Sequence, residues 1–501
     1  MTFNLDTPLI DLTDKSGEKF YWTARNAVEG VQIFGGIGSG KTSGSGRMLA
    51  LKYLKAGFGG LVLTVKPDEK KLWQDYCEIA GRRDDLIIVE PLGEHRFNFF
   101  DYELSKTKAG MSPTDNLVQV LKTVIRAGQE KSGGRADDPF WENALDMLIY
   151  NTIDLSYLAH GQVSAEVMYN IVQSIPKAGQ PESKEETEFS LALKLAKRKA
   201  DEKIKEWQNA QPEERMLRLI AKPDLLDRIY TEEIPFVREL KFIIQFFTET
   251  FQGLAEKTRS TIELSFTAFL FRLLRDPVYS LFCYDESTFS PDNCATGKII
   301  LLNLPVKEYH KTGQDVQIMF KYIWQRAMEK RDLSKSDMPV FLWADEAQNF
   351  LHEHDPDYQA TARSSRIATV YISQNLPNYH ANMGGDKSAY KVNSFLGTMA
   401  TKIFHANADI ETNKYASELI GDDYKKDLST TSTASGQFST SKTMSLKLDR
   451  IVKPEQFALL KTGSEKNDHV VEGYMHLQGD LLQDRSHIKV YFKQNFKPKT
   501  A

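Results

Sequence analysis

The chain has 501 residues, 41% of them hydrophobic and 26% charged, with a formal net charge of -4. That length supplies two to four domains with buried cores and excludes a small stapled fold. No apolar run approaches the roughly 18 residues of a membrane span, and the N-terminus lacks the basic start and apolar core of a signal peptide, so a cytoplasmic protein is expected. The charge balance neither supports nor excludes nucleic-acid binding, because a basic lining can be local to a channel. Cys77, Cys283 and Cys294 are odd in number and lack metal-like spacing, which fits free thiols in a reducing compartment.

In chain order, the apolar run Val31-Gln32-Ile33-Phe34 reads as a buried strand and residues 41–56 as a helix. Between them, residues 35–42 carry the pattern GxxxxGK[ST], a phosphate-binding loop. Gly35, Gly36, Ile37, Gly38, Ser39 and Gly40 can turn consecutive backbone N–H groups onto a triphosphate, with Ser43 beside them. Lys41 then reaches the β and γ phosphates and Thr42 holds Mg²⁺, so ATP and Mg²⁺ are the expected cofactors. Residues 61–65 and 86–89 read as further buried strands.

From about residue 111 to residue 290 the strand signal gives way to helical spacing. Phe140, Trp141, Ala144, Leu145, Leu148 and Ile149 form one expected face. Residues 183–208 predict a long exposed helix with a seam at Leu191, Leu193 and Leu195. Residues 298–304 restore the strand pattern, followed by a helix whose stripe is Val316, Met319, Phe320, Ile323, Trp324 and Ala327. The expected class is therefore α/β, with a largely parallel sheet. Residues 1–110 and 293–501 form its nucleotide-binding domain, and 111–292 an inserted all-α domain.

Pro339-Val340-Phe341-Leu342-Trp343-Ala344-Asp345-Glu346 reads as a Walker B element, an apolar strand ending in two carboxylates. Asp345 is expected in the Mg²⁺ shell, and Glu346 polarises the water that attacks the γ phosphate. Strands are also expected at 368–372, 401–405, 470–477 and 488–492. Residues 429–445 are low in complexity and read as a mobile loop. His352 and His354 read as surface loop residues rather than ligands, and no nuclease constellation is evident.

The order of these parts resembles the cytoplasmic ATPase of type IV secretion and conjugative coupling proteins, the TraG/TraD kind, which belong with the FtsK and HerA DNA pumps. The resemblance spans nearly the whole chain. With the phosphate-binding loop it takes in Leu63-Thr64-Val65-Lys66-Pro67-Asp68, Val89-Glu90-Pro91-Leu92, Phe97-Asn98-Phe99-Phe100-Asp101, Asp138-Pro139-Phe140-Trp141-Glu142-Asn143-Ala144, Glu256-Lys257-Thr258-Arg259-Ser260-Thr261, Asp345-Glu346-Ala347-Gln348-Asn349-Phe350 and Ser373-Gln374-Asn375. It implies a RecA-like phosphate-loop NTPase domain carrying an all-α domain, in a homo-oligomer that forms a six-membered ring around DNA. Gln374 matches the polar residue that senses the γ phosphate, and Arg363 the arginine finger given to a neighbour, with an ordinary surface arginine as the alternative.

Two departures stand out. The family usually opens with membrane-spanning helices, which this sequence lacks. Its aspartate-proline-lysine-glycine turn is here Thr64-Val65-Lys66-Pro67, so only Lys66 is carried over. The resemblance implies an ATP-driven DNA translocase, with a relaxase or other protein as cargo and attachment to the inner membrane only through a partner. A second reading stays open: a nucleotide-gated adaptor that recruits a protein or nucleoprotein without processive movement.

Overall fold

The computed structural model describes residues 3–13, 17–107, 112, 114–130, 139–177, 186–284, 286–383, 388–435, 437–479 and 485–494. Thirteen strands run through them: β1 (Pro8–Thr13), β2 (Lys19–Thr23), β3 (Val31–Phe34), β4 (Gly59–Leu63), β5 (Leu86–Val89), β6 (Ile299–Leu302), β7 (Val340–Ala344), β8 (Ile367–Ser373), β9 (Thr401–His405), β10 (Asp422–Ser435), β11 (Gln437–Arg450), β12 (Val470–Leu477) and β13 (His487–Lys493). Nine of them form one sheet in the order β13-β12-β9-β3-β8-β7-β4-β6-β5. β3 is parallel to β8 and β9, and β7 is parallel to β4 and β8, while β12 runs antiparallel to β9 and β13. The central strands are mostly apolar because both sheet faces are covered, and every residue of β3, β4, β7 and β8 is buried, the polar Gln32, Thr369 and Ser373 among them.

Register sets the carboxyl ends of these strands side by side. Phe34 pairs with Ser373, Tyr371 with Ala344, and Ala344 with Leu63. The loops that leave β3, β8, β7 and β4 therefore emerge at one edge, where open α/β sheets take ligands.

The chain divides into two compact units, one of residues 1–87, 291–308 and 324–501, the other of residues 88–290 and 309–323. The second unit is built from helices, among them Asp115–Glu130, Pro139–His160, Ala165–Gln173, Glu188–Asn209 and Glu256–Leu273. Two family-like segments have structural work there. Asn98 caps helix Phe99–Ser105, its Oδ1 accepting from Phe100 N (3.1 Å) and Asp101 N (3.3 Å). Arg259 is buried, donating to Pro176 O (2.9 Å), Ile175 O (3.2 Å) and Glu263 Oε1 (2.8 Å). Among the described residues no helix is long and apolar enough to cross a membrane.

Five local expectations need correction. Residues 429–435 and 437–445 lie in β10 and β11, paired from Asp422↔Arg450 to Ser435↔Gln437. A ladder of backbone hydrogen bonds needs few apolar side chains, and Thr favours strands, so poverty in apolar residues was the wrong signal. Gly436 lies outside the described residues, as do residues 183–185 and Asp138 of the other expected segments.

The helix Glu188–Asn209 buries Phe189, Ala192, Ala196 and Ala200 rather than Leu191, Leu193 and Leu195, whose spacing of two is a strand's and scatters around a helix. Phe140 is exposed while Leu145, Leu148 and Ile149 are buried, and in the later stripe Met328 is buried where Ala327 is only half-buried. His352 is buried, not a surface residue; its N donates to Asp355 Oδ2 (2.9 Å) and its Nε2 meets Gln325 Oε1 (3.0 Å).

Candidate functional site

Past β3 the backbone turns through the phosphate-binding loop. Gly40 has φ +83°, and an added Cβ would collide with the Val471 side chain, so only glycine fits. An expected regular helix over 41–56 instead begins with one wide turn, Thr42–Gly46, in which Gly46 N donates to Lys41 O (2.9 Å) across five residues; the α-helix proper is Arg47–Lys55. The turn packs on β12 and β13. Ser43 Oγ accepts from Gln494 Nε2 (2.6 Å), and Ser45 Oγ lies 2.7 Å from His405 Nε2. His405 Nδ1 faces the Glu472 carbonyl at 2.9 Å, which can only accept, so Nδ1 carries the proton and Nε2 accepts from Ser45. Burial pulls the His405 pKa down to about 4 and keeps the ring neutral.

A cavity of about 810 Å³ opens over this loop. Ile37, Gly38, Ser39, Gly40, Lys41, Thr42 and Ser43 line it from β3, Lys66 from β4, Glu346 from β7 and Gln374 from β8. Thr42 Oγ1 donates to Asp345 Oδ2 at 2.8 Å. Lys41 Nζ stands 3.9 Å from Glu346 Oε1, and Lys66 Nζ 3.9 Å from Asp345 Oδ2. Gly35, Gly36 and Asp345 sit beneath the lining; Gly36 N donates to Ala406 O (2.8 Å). Arg363 is elsewhere, its guanidinium mostly exposed and 3.4 Å from Glu29 Oε1.

Glu346 has a left-handed backbone, φ 51° and ψ 50°. Such a conformation costs a non-glycine residue about 1–3 kcal/mol. Four hydrogen bonds of about 1 kcal/mol each offset it: Glu346 N to Asp345 Oδ1 (2.9 Å), Asn349 Nδ2 to Glu346 O (2.8 Å), Gln348 Nε2 to Oε2 (2.9 Å) and Gln374 Nε2 to Oε1 (3.0 Å). The Gln374 backbone carbonyl accepts from Asn407 Nδ2 (2.8 Å).

Burial raises the Asp345 pKa, opposed chiefly by the charge of Lys66 and the hydrogen bond from Thr42. Burial works against the Lys66 ammonium, but Asp345, Glu69, Glu346 and Asp68 together hold its pKa above the usual value. Glu69 is pushed up to about 8, first by burial and then by the Asp345 charge, although Val65 N donates to it at 2.7 Å. The site thus sets buried carboxylates against two lysines, an arrangement that further positive charge would complete.

The residues present fit a nucleotide with a divalent cation. The loop offers a close backbone cradle, and Ser39 Oγ is buried without a partner. Thr42 and Asp345 offer hard oxygen ligands of the kind Mg²⁺ takes. Motif reading passed over several lining or supporting residues: Arg47, Asn349 and Lys307, the Gln348 amide, and the His405 and Gln494 braces. Gln348 and Asn349 had a signal, their place beside Glu346 in a family-like segment, and Arg47 lies just past the phosphate-binding loop; Lys307, His405 and Gln494 are distant in sequence from both motifs.

Residues 339–462 match a family model described as the TraM recognition site of TraD and TraG. No curated protein matches the chain. Among solved structures, the unbound bacterial conjugative coupling protein TrwBdeltaN70 is similar at 12% identity and TM-score 0.56, over 94% of this chain and 86% of that one. The plasmid coupling protein TrwB in complex with ADPNP gives 13% identity and TM-score 0.55, over 95% and 88%. TrwB in complex with ADP and Mg²⁺ gives 12% and 0.53, over 96% and 88%. The fold is the RecA-like phosphate-loop α/β fold with an all-α domain. The resemblance to coupling-protein ATPases recurs in both the family model and the fold.

Proposed function

We propose that the chain is an ATP hydrolase that moves DNA, a motor of the conjugative coupling kind working as a six-membered ring. The observation that carries the reading is the convergence of Lys41, Thr42, Glu346 and Gln374 on one cavity, with Asp345 hydrogen-bonded to Thr42 beneath it. Lys41 binds the terminal phosphates. Glu346 orients the attacking water and takes its proton, and Gln374 stands where an amide can donate to phosphate. Mg²⁺ held by Thr42 and Asp345 would neutralise charge on the phosphates. That TrwB was solved with ADPNP and with ADP and Mg²⁺ supports these cofactors, and the coupling-protein descriptions support a role in DNA transfer.

A second reading, the nucleotide-gated adaptor, draws support from the family description, which names a protein-recognition site over the stretch holding Asp345, Glu346 and Gln374. A relaxase or another protein is then the cargo. One experiment separates the two: ATP turnover measured with and without single- and double-stranded DNA, across a salt series. The translocase reading expects turnover stimulated by DNA of any sequence, with affinity falling steeply as salt rises. Basal turnover indifferent to both forms of DNA, with no binding to either, overturns it in favour of the adaptor.

A further inference from the structure

Glu346 is gripped by two amides that differ in how they are held. Gln374 reaches Oε1 from the end of β8 and lines the cavity at the face open to nucleotide. Gln348 reaches Oε2 from the turn after β7; it borders the same cavity but is buried. Its own carbonyl is fixed, because Ser373 Oγ donates to Gln348 Oε1 at 2.9 Å. The orientation of this amide follows from its partners. A carboxylate accepts only, so the NH₂ must face Glu346, and the oxygen then meets the hydroxyl proton of Ser373. Ser373 is the last residue of β8, buried and paired in register with Phe34, so the relay ends on the strand that neighbours the phosphate-binding loop.

The consequence lies in what happens when phosphate arrives. A γ phosphate competes with Glu346 Oε1 for the Gln374 NH₂, and turning that amide toward phosphate loosens its hold on the carboxylate. Without a second tether the carboxylate, mounted on a residue of strained backbone, gains rotameric freedom when it has to aim at water. General-base catalysis requires heavy atoms within about 2.6–3.2 Å, and misplacement by about 1 Å can cost on the order of 10²-fold in rate.

We propose that Gln348, locked by Ser373, is the positioning residue that keeps the Glu346 carboxylate aimed at the attacking water while Gln374 is engaged with nucleotide. The inference rests on the hydrolase reading and adds to it a division of labour: Gln374 is the exchangeable amide and Gln348 the fixed one. The side chains of Ser373 and Gln348 make no hydrogen bond to Lys41, Thr42 or Asp345, so their loss acts on turnover far more than on binding.

The test measures steady-state ATP turnover and the affinity of a fluorescent ATP analogue in the full chain, for the unaltered protein, Gln348→Leu, Ser373→Ala and the double variant. Gln348→Leu should lower kcat about 10²-fold with analogue affinity within about twofold. Ser373→Ala, which removes one oxygen and leaves the amide free to swing, should lower kcat about 10-fold, and the double variant should be no slower than Gln348→Leu alone, as expected of residues acting in one chain. Near-normal turnover by Gln348→Leu overturns the inference alone, as does additive loss in the double variant or a fall in affinity that matches the fall in rate. Absence of turnover in the unaltered protein overturns the hydrolase reading and the inference together. If Gln348→Leu does not fold, Ser373→Ala decides: normal kcat there overturns the relay.

Discussion

Thr42 and Asp345 are 303 positions apart in sequence, yet Thr42 Oγ1 donates to Asp345 Oδ2 at 2.8 Å. The hydroxyl opens the wide turn after β3 and the carboxylate follows the last residue of β7, so the contact joins the two halves of the nucleotide site. Asp345→Asn keeps the volume and removes the charge that the proposed Mg²⁺ needs. Charged hydrogen-bonding groups contribute about 1.5–3 kcal/mol, so nucleotide affinity in Mg²⁺ should fall about 10- to 100-fold, while affinity in EDTA changes little. Binding titrations under both conditions check this; equal loss in the two would remove Asp345 from the metal site.

Lys41 and Glu346 face each other at 3.9 Å but have different proposed tasks. Lys41→Ala should abolish nucleotide binding. Glu346→Gln should retain it and lower turnover by about 10² to 10⁴. A Glu346→Gln protein that hydrolyses ATP at the normal rate would pass the base role to another carboxylate.

The site's pH dependence has a distinct source in His405. Its pKa lies near 4 in the fold against about 6.5 when exposed. Between these values the unfolded chain binds the extra proton, so stability rises with pH: the contribution is fully present above pH 6.5 and is lost as pH falls toward 4, about 3 kcal/mol in all by linkage. Glu69, raised to about 8, has the opposite slope above its ordinary value. The measurement is therefore a difference. Denaturant unfolding of the unaltered protein and His405→Gln across pH 4–7 should show a shallower acid loss in the variant, and parallel curves would exclude His405 as the source.

Much of this site was legible because its chemistry is local in sequence. The phosphate-binding loop and the Asp345-Glu346 pair each carry their residue types at fixed spacing beside an apolar run, and every residue of β3 and β7 is buried. Gln374 was legible only through the family resemblance, which puts a polar residue at the end of the next strand, and β8 does lie between β3 and β7. The braces were not. Ser45 meets His405 across 360 positions and Ser43 meets Gln494 across 451, and neither pairing leaves a mark on periodicity or spacing. The hairpin of β10 and β11 was missed for another reason: Tyr424, Met444, Leu446 and Leu448 are exposed, so no buried face announces the strands.

Arg363 is proposed to act in trans, and its placement bears on how. It follows helix Asp355–Ala362 and precedes β8, while Glu29, 3.4 Å away, precedes β3. These parallel strands carry Lys41 and Gln374 at their other ends, so Arg363 sits at the sheet edge remote from its own cavity. An arginine that serves a neighbour must be exposed, as this one mostly is, and held loosely enough to be redirected. A single ion pair to Glu29 at the surface contributes about 0–1 kcal/mol. An arginine finger contributes on the order of 10³ to 10⁵ in rate, so the pair is easily exchanged for a neighbour's phosphates. Arg363→Ala should therefore lower turnover far more than nucleotide affinity. Mixing Arg363→Ala subunits, which keep Glu346, with Glu346→Gln subunits, which keep the arginine, should restore part of the activity that each lacks alone. ATP turnover across mixing ratios in verified mixed oligomers reads this out; no recovery at any ratio, or full activity of Arg363→Ala by itself, would return Arg363 to the status of a surface arginine.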